Sequence, residues 1–281
     1  MDTPLRALRR WTAPALFLTG GLLFYFGDRR QAVPASAGDS FRGAATATAK
    51  GQTSLRVATF NIHGGLGRDL RRDLARTADT LRSFDFVVLN EVHGPYFWQA
   101  AGQTEELAAA TGRRWLFAPT ETRWWHHEFG NAVLSLADVA WWQRLPLPSA
   151  SRGYRNLVFM SLPFAGGSIN VIATHLDRND AQAREEQLRA ASELFLALAE
   201  PAMLMGDLNT TGDEPPLAAL LARDGVCDPL GETWGEDTPR RIDWILTRGL
   251  RTLDAGMIDN GASDHPLVWA EVALRERRVI E

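Results

Sequence analysis

Four short apolar runs in the middle of the chain each end in a residue that can bind a metal ion or contact a phosphate. The runs VATFN, FVVLNE, INVIATH and AMLMGD end at Asn61, Glu91, His175 and Asp207, with Asn209 just beyond. Late in the chain the order is inverted, because Ser263, Asp264 and His265 come directly before the apolar run PLVWAEVAL. Acids, amides and histidines of this kind are what a metal-dependent hydrolytic site requires.

The apolar runs themselves indicate how these residues meet. Runs of about four to eight apolar residues are typical of buried β-strands. If several strands share a sheet and a direction, their carboxyl ends lie along one edge. A strand of the opposite direction brings its first residues to that same edge. The sequence therefore predicts that polar side chains from distant parts of the chain gather at one edge of a sheet.

Helical periodicity appears between some of these runs and is absent between others. Apolar spacing predicts a helix ending at Leu81, a second over residues 104–110 and a long third over residues 180–199, capped by Asn179 or Asp180. Between residues 115 and 174 strands and turns follow one another without a helix, which argues against a purely alternating βαβ fold. The pattern predicts an α/β (α+β) domain, a four-layer sandwich of two packed mixed β-sheets flanked by helices.

Length and charge restrict the class of protein. The chain has 281 residues, 45% of them hydrophobic, which favours one large domain, and we expect a monomer. Residues 1–50 hold 7 of the 30 basic and 3 of the 34 acidic residues, so the remainder has 23 against 31, a net charge of −8. This charge does not favour nucleic acid as a partner, although a local basic groove would permit it. Cys227 is the only cysteine, which excludes an internal disulfide.

The first fifty residues differ in composition from the rest. Three arginines (Arg6, Arg9 and Arg10) precede an uncharged stretch over residues 11–27, and a Gly/Ala/Ser/Thr-rich stretch follows. The uncharged stretch is near the lower limit for a membrane-spanning helix and suits a signal-peptide core, with a buried core helix as the alternative. We predict an N-terminal membrane anchor or signal segment (1–30), a flexible linker (31–53) and a catalytic domain (54–281). The catalytic domain would lie outside the cytoplasm, held by one N-terminal helix or exported after signal cleavage.

Seven short motifs follow one another between roughly residues 55 and 273. They are TFNIHGG, LNEVHG, GNAVLSL, ATHLD, MGDLNTT, RRIDWIL and SDHPLV. In this order and at these spacings they resemble the endonuclease/exonuclease/phosphatase superfamily, which has the deoxyribonuclease-I-like fold. GDLN or SDH alone would be a weak signal. The resemblance implies a hydrolase of phosphoric ester bonds that uses Mg²⁺ or Mn²⁺, cations for which hard oxygen ligands are suited.

The resemblance also implies roles for individual residues at the metal and at the attacking water. Glu91 matches the family's metal-binding glutamate, Asn61 lies beside it as a ligand or as a residue that orients the ligands, and Asp264 matches another carboxylate on the metal side. Asp207 matches the residue that orients or deprotonates the water. Asn209 would hold that water or a phosphate oxygen.

A second group of residues would act on the phosphate. His265 would hydrogen-bond the scissile phosphate or transfer a proton, while Asp243 would fix its tautomer and keep it cationic. His175 would face the phosphate or the leaving group. Asn131 and Arg155 are candidate substrate-binding residues, and each of them could equally be structural or simply solvent-exposed.

One residue departs from the family pattern, and one pair of residues leaves the choice of substrate open. Asn90 stands where the family commonly has a glutamine before the metal-binding glutamate, and this could alter how the carboxylate is held. Trp124 and Trp125 precede the Asn131 motif and could stack on a base, contact a lipid or pack over the edge of the sheet.

The predicted function is a divalent-metal-dependent phosphoesterase that hydrolyses a phosphodiester by attack of water. A lipid head group or a small phosphodiester is favoured because an acidic domain follows a membrane segment, which would also make the membrane a partner. An extracytoplasmic endonuclease or exonuclease acting on DNA or RNA is the alternative. A catalytically inactive binding module of the same fold is a distant one, because the acids and His265 are all present.

Overall fold

A computed structural model gives the structure of residues 16–25, 27, 29–45, 52–96, 98–122, 126–149 and 153–275. The strands are β1 (Gln31–Ala32), β2 (Ser36–Gly38), β3 (Leu55–Asn61), β4 (Phe86–His93), β5 (Arg114–Thr122), β6 (Phe129–Ser135), β7 (Trp141–Pro146), β8 (Asn156–Phe164), β9 (Gly167–His175), β10 (Ala202–Asp207), β11 (Asp243–Arg248), β12 (Leu250–Ile258) and β13 (Leu267–Leu274). The helices are α1 (residues 16–25), α2 (Leu74–Leu81), α3 (Gln103–Thr111), α4 (Ala181–Ala197), α5 (Pro215–Leu221) and α6 (Pro229–Trp234).

The strands form two mixed sheets. One has seven strands in the order β1-β5-β6-β4-β3-β13-β12, and the other has six in the order β11-β10-β9-β8-β7-β2. Strands β3 and β4 run parallel, as do β9 and β10. The strands β13 and β11, which begin near the candidate residues, run antiparallel to β3 and β10. The carboxyl ends of the parallel strands and the beginnings of the antiparallel ones therefore lie at one edge of each sheet.

Three hydrophobic clusters hold the layers together. The largest lies between the sheets and contains Val57 of one sheet and Met205 of the other. A second cluster, with Leu107, covers the outer face of the seven-stranded sheet under α2 and α3, and a third, with Phe195, covers the outer face of the six-stranded sheet under α4 and α5. Burying each such side chain contributes about 1.5–3 kcal/mol. The predicted four-layer sandwich is confirmed.

The predicted helices lie close to their expected positions. The helix expected over residues 104–110 is α3, and the one expected over residues 180–199 is α4. Asp180 caps α4, because its Oδ1 accepts a hydrogen bond from the backbone N–H of Ala183 at 3.0 Å. Strand β12 was not predicted. A register shift between Thr252 and Asp254 interrupts its alternation, and its sequence therefore lacks a regular period of two.

The N-terminal segment differs from the prediction. The helical residues 16–25 would rise about 15 Å, whereas the hydrocarbon core of a bilayer is about 30 Å thick. Within the part of the chain that the structure describes, no helix combines the length and apolar character that crossing a bilayer requires. This contradicts the predicted localisation, in which the segment was a membrane anchor or export signal. Arg6, Arg9 and Arg10 lie outside the described residues.

Part of the segment predicted as a linker lies on the sheets. Strand β1 pairs with β5, and β2 pairs with β7. These edge pairings use backbone hydrogen bonds. Such bonds do not require large side chains, so small residues such as Ala37 and Gly38 can form them. The domain boundaries stay a prediction.

Candidate active site

The candidate residues converge where the two sheets meet at one edge. Asp207 ends β10 beside His175, which ends the parallel strand β9. Asp243 begins β11 and is the antiparallel cross-strand partner of Asp207. Asn61, at the end of β3 in the other sheet, donates a hydrogen bond from Nδ2 to Asp207 Oδ2 at 3.0 Å. Both sheets therefore contribute to one cluster, whereas the sequence pattern predicts the edge of a single sheet.

Glu91 reaches this edge through an irregularity in its strand. The pairing of β4 with β6 shifts register between Leu89 and Val92, and Glu91 has a φ of 56°. Bulges of this kind re-aim a side chain. His63 and Asn209 also have positive φ angles, 48° and 49°. Non-glycine residues adopt this conformation rarely and at an energetic cost, and such residues concentrate at functional sites.

Asp243 and His265 form the shortest polar contact in the cluster. Nδ1 of His265 lies 2.7 Å from Oδ2 of Asp243. Burial alone would lower the pKa of His265, but the hydrogen bond and charge of Asp243, with the charges of Asp207 and Asp264, raise this pKa to about 9. Burial raises the pKa of Asp243, and His265 acts against that shift. His265 is therefore an imidazolium at neutral pH, and its Nε2 remains directed towards Asp207.

Asp207 lies at the centre of the cluster with 1% of its surface exposed. Its Oδ1 accepts a hydrogen bond from the backbone N–H of Asn209 at 2.9 Å, and its Oδ2 lies 4.0 Å from His265 Nε2. Burial and then repulsion from Asp243 raise the pKa of Asp207 to about 7, although His265 and the two hydrogen bonds oppose the shift. A carboxylate with a pKa near neutrality is suited to accept a proton from water.

His175 lies beside Asp207 and is buried. Its Nε2 is 3.5 Å from Asp207 Oδ2, and only 2% of the residue is exposed. Burial, followed by the charges of Arg155 and His265, lowers the pKa of His175 well below its ordinary value. His175 is therefore neutral and contacts Asp207. Its predicted role at the phosphate stays a prediction.

A ladder of buried amides joins the two sheets directly beneath these acids. Asn90 donates from Nδ2 to Asn131 Oδ1 at 2.8 Å and to the Thr174 carbonyl at 3.1 Å. Its Oδ1 accepts the backbone N–H of Asp207 at 2.9 Å. Asn131 in turn donates to Asn156 Oδ1 at 3.1 Å. The ladder therefore fixes Asp207 relative to the opposite sheet.

Sequence reasoning missed most of this ladder. Asn90 stood out as a departure from the family pattern, but its partners lie far away along the chain. Asn156, which begins β8, gave no signal. Asn131, a predicted substrate contact, is 1% exposed and engaged by amides on both sides. The structure thus places Asn131 beneath the surface of the site, where it positions other residues.

The acids leave negative charge that a cation would balance. The charges of Glu91 and Asp264 both raise the pKa of Asp243. Glu91 is half-buried, and the side chain of Asp264 is 51% exposed. Two carboxylates with open positions for water and phosphate oxygens are the usual protein ligands of Mg²⁺. This donor set fits a hard divalent cation.

Two other groupings fit a cation less well. Asp207, Asp243 and His265 have ligand atoms within 4.8 Å of one another. However, the Nδ1 of His265 is already hydrogen-bonded to Asp243 Oδ2. Asn61 donates to Asp207, and its Oδ1 accepts the N–H of His63 at 3.1 Å. Asn61 therefore orients Asp207, which favours the orienting interpretation over direct ligation.

Arg155 lies at the same edge, directly before β8. Burial lowers its pKa, while Asp177, Glu91 and Asp207 raise it, so its charge lies among these acids. The Nε of Arg155 has no hydrogen-bond partner among the residues that the structure describes. Trp124 and Trp125 lie outside those residues.

Residues 58–265 match the Endonuclease/Exonuclease/phosphatase family. The chain belongs to this family. The resemblance drawn from the seven motifs is thereby confirmed, and the chain is a hydrolase of phosphoester bonds. Enzymes of this family generally depend on a divalent metal. A comparison with curated protein sequences gives no match.

Solved structures show the same fold. An endonuclease/exonuclease/phosphatase from Beutenbergia cavernae DSM 12333 is 25% identical, with a TM-score of 0.63 over 79% of this chain and 72% of that one. A mannosyl-6-phosphatase from Bacteroides thetaiotaomicron is 17% identical, with a TM-score of 0.59 over 78% of this chain and 100% of that one. D. rerio TDP2 complexed with a single-strand DNA product is 20% identical, with a TM-score of 0.56 over 79% and 99%.

Proposed function

We propose that the chain is a divalent-metal-dependent phosphoesterase that hydrolyses a small phosphodiester by attack of water. One observation carries this proposal. Asp207, a buried carboxylate with a pKa of about 7, lies 4.0 Å from His265, an imidazolium with a pKa of about 9. A proton acceptor and a proton donor therefore lie close to each other at neutral pH.

In the proposed reaction Asp207 accepts the proton of the attacking water. Asn61 and the N–H of Asn209 hold the carboxylate in position through their hydrogen bonds. His265 donates a hydrogen bond from Nε2 to a phosphate oxygen or a proton to the leaving oxygen, and Asp243 keeps its ring oriented and charged.

The same edge provides residues for the cation. Glu91 and Asp264 would hold it through carboxylate oxygens. When bound, the cation would neutralise negative charge on the phosphate oxygens. Arg155 would add a forked donor to the phosphate from the side of the six-stranded sheet.

The choice of a small phosphodiester is supported by charge and by the correction to the N-terminus. The preference for a lipid head group depended on a membrane helix, and the described residues contain no helix that could cross a bilayer. The charge of −8 beyond residue 50 disfavours duplex binding.

A nuclease acting on single strands is the second candidate. Tyr96 and Trp98 stack at 4.6 Å with planes 14° apart, and Trp98 is 62% exposed. Tyr96 also packs edge-on against His127 at 5.2 Å, near the same edge. Aromatic rings of this kind stack on unpaired bases. The fold shared with TDP2 in its DNA complex is compatible with this alternative.

Hydrolysis of bis(p-nitrophenyl) phosphate tests the proposal. The protein should be active with Mg²⁺ or Mn²⁺ and inactive after treatment with EDTA. Asp207→Asn should lower kcat by about 10²–10⁴-fold because the proton acceptor is lost. The control is Asp224→Asn, which removes the same charge at an exposed position and should leave kcat unaltered. Full activity in Asp207→Asn would exclude the proposed role of this residue.

A further inference from the structure

The loop that follows Asp207 is hydrogen-bonded to the indole of Trp244. Trp244 lies in β11, one residue after Asp243, and is 3% exposed. Its Nε1 donates a hydrogen bond to the backbone carbonyl of Thr210 at 2.9 Å. Adjacent residues of a strand point to opposite faces, so Asp243 lies with the acids of the site while Trp244 packs in the hydrophobic cluster under α4 and α5.

The contact with Thr210 bears on Asn209, the residue directly before it. Asn209 has a φ of 49°, a conformation that non-glycine residues adopt at an energetic cost. Its backbone N–H donates to Oδ1 of Asp207 at 2.9 Å, and its Nδ2 donates to the carbonyl of Leu176 at 3.0 Å. Strained backbone persists only where its surroundings fix it. The indole bond to the next carbonyl therefore helps to keep this N–H directed at Asp207.

Arg241 in turn fixes the indole. The guanidinium carbon of Arg241 lies 3.8 Å from the centroid of the Trp244 ring, and only 8% of the residue is exposed. Its Nη2 donates a charge-assisted hydrogen bond to Oδ2 of Asp228, the residue directly before α6. A guanidinium that is both stacked and paired restricts the plane of the ring beside it. Arg241 therefore restricts the ring from which Thr210 receives its hydrogen bond.

We propose that Trp244 and Arg241 are positioning residues for the proton acceptor of the site, because they hold the loop whose N–H fixes the carboxylate of Asp207. The proposal rests on the proposed function, in which Asp207 accepts the proton of the attacking water. Both residues act through Thr210 and Asn209. Their substitution should therefore slow the chemical step rather than weaken the binding of substrate.

Two substitutions of the same kind test the inference with bis(p-nitrophenyl) phosphate and Mg²⁺ or Mn²⁺. Trp244→Phe removes the Nε1 donor and keeps an aromatic ring. The matched control is Trp142→Phe, which removes an indole hydrogen bond of 3.0 Å to the carbonyl of Ser40, where β2 pairs with β7. Trp244→Phe should lower kcat about 10-fold or more at nearly constant KM, since a displacement of about 1 Å can cost about 10²-fold. Trp142→Phe should leave both constants unchanged.

Hydrogen exchange shows whether the effect is local. Trp244→Phe should accelerate amide exchange in residues 208–212, whereas Trp142→Phe should leave exchange in these residues unaltered. Thermal unfolding checks that each variant is folded at the assay temperature, because a purely structural role would lower Tm without changing kcat of the folded protein.

Arg241→Lys provides a second, milder variant. It keeps a positive charge for Asp228 but loses the planar stack on Trp244. It should lower kcat about 3-fold, the size of a typical cation–π contribution, again at constant KM. If Trp244→Phe does not fold, Arg241→Lys decides the test, and an unchanged kcat in this variant then overturns the inference.

The outcomes separate this inference from the proposed function. An unchanged kcat in folded Trp244→Phe, an equal loss in Trp142→Phe, or a higher KM at constant kcat would overturn the inference. The proposed function would still stand if Asp207→Asn had lost its activity. Full activity in Asp207→Asn, or absence of hydrolysis by the unaltered protein, would overturn the proposed function and the inference with it.

Discussion

Replacing Asp243 by asparagine should convert His265 from a cation into a neutral ring at pH 7. The carboxylate of Asp243 lies 2.7 Å from Nδ1 and is, after burial, the largest influence on this histidine. Asparagine has nearly the same shape but no charge. Burial, which lowers the pKa of His265, would then be opposed only by the charges of Asp207 and Asp264.

The structure gives the size of this effect. The pKa of His265 should fall from about 9 towards its ordinary value of 6.5. At about 1.36 kcal/mol per pKa unit, a full return to 6.5 would remove about 3 kcal/mol of stabilisation from the imidazolium. The side chain of His265 is only 17% exposed, so solvent screening removes little of this.

The same shift predicts how stability depends on pH. Because the pKa of His265 is higher in the folded state than in the unfolded chain, its contribution to the free energy of unfolding is fully present below about pH 6.5. The contribution is lost as pH rises through about 9. In Asp243→Asn this component should disappear from the pH dependence.

A histidine NMR titration of the metal-free protein in EDTA measures the pKa directly, with His265→Gln to assign the signal. Asp224→Asn, which changes the same charge at an exposed position, should leave the His265 titration in place. A pKa still above 8 in Asp243→Asn would refute the reasoning, because Asp243 could not then be the source of the raised value.

Three further predictions concern the scaffold and the pH dependence of activity. Asn90→Ala removes a side chain from three buried hydrogen bonds and should lower the free energy of unfolding by about 2–4 kcal/mol in urea titrations. Gly206→Ala should be at least equally destabilising, because the new Cβ would overlap the backbone carbonyl of β9 at a φ of 142°, whereas Gly167→Ala has ordinary contacts and should leave Tm nearly unchanged. The kcat/KM profile should rise through about pH 7, as Asp207 ionises, and fall above about pH 9, as His265 loses its proton. A profile without an alkaline limb would contradict the role of His265 as a proton donor.

The sequence predicted the convergence of Asp207 and His265 because strand ends follow from local patterns, whereas Asp243 was implied only by the family resemblance. The end of an apolar run marks the end of a strand. The direction of that strand in its sheet then determines the edge at which its last residue lies. The orientation of Glu91 was beyond such reasoning, since a bulge breaks the period of two without a characteristic sequence. The function of Asn90 depends on partners in another sheet, so no local pattern reveals it. The predicted localisation was wrong because apolar composition alone does not establish that a helix is long enough to cross a bilayer.

Because the amide ladder joins the two sheets, catalytic activity depends on their relative position. Neither sheet carries the whole site: Glu91 belongs to one, Asp207 to the other, and the bond between Asp243 and His265 crosses between them. A small slide of one sheet over the other would leave every strand and helix formed while separating proton acceptor from proton donor. Activity should therefore vanish in any loosened state that keeps its secondary structure, well before circular dichroism detects a change.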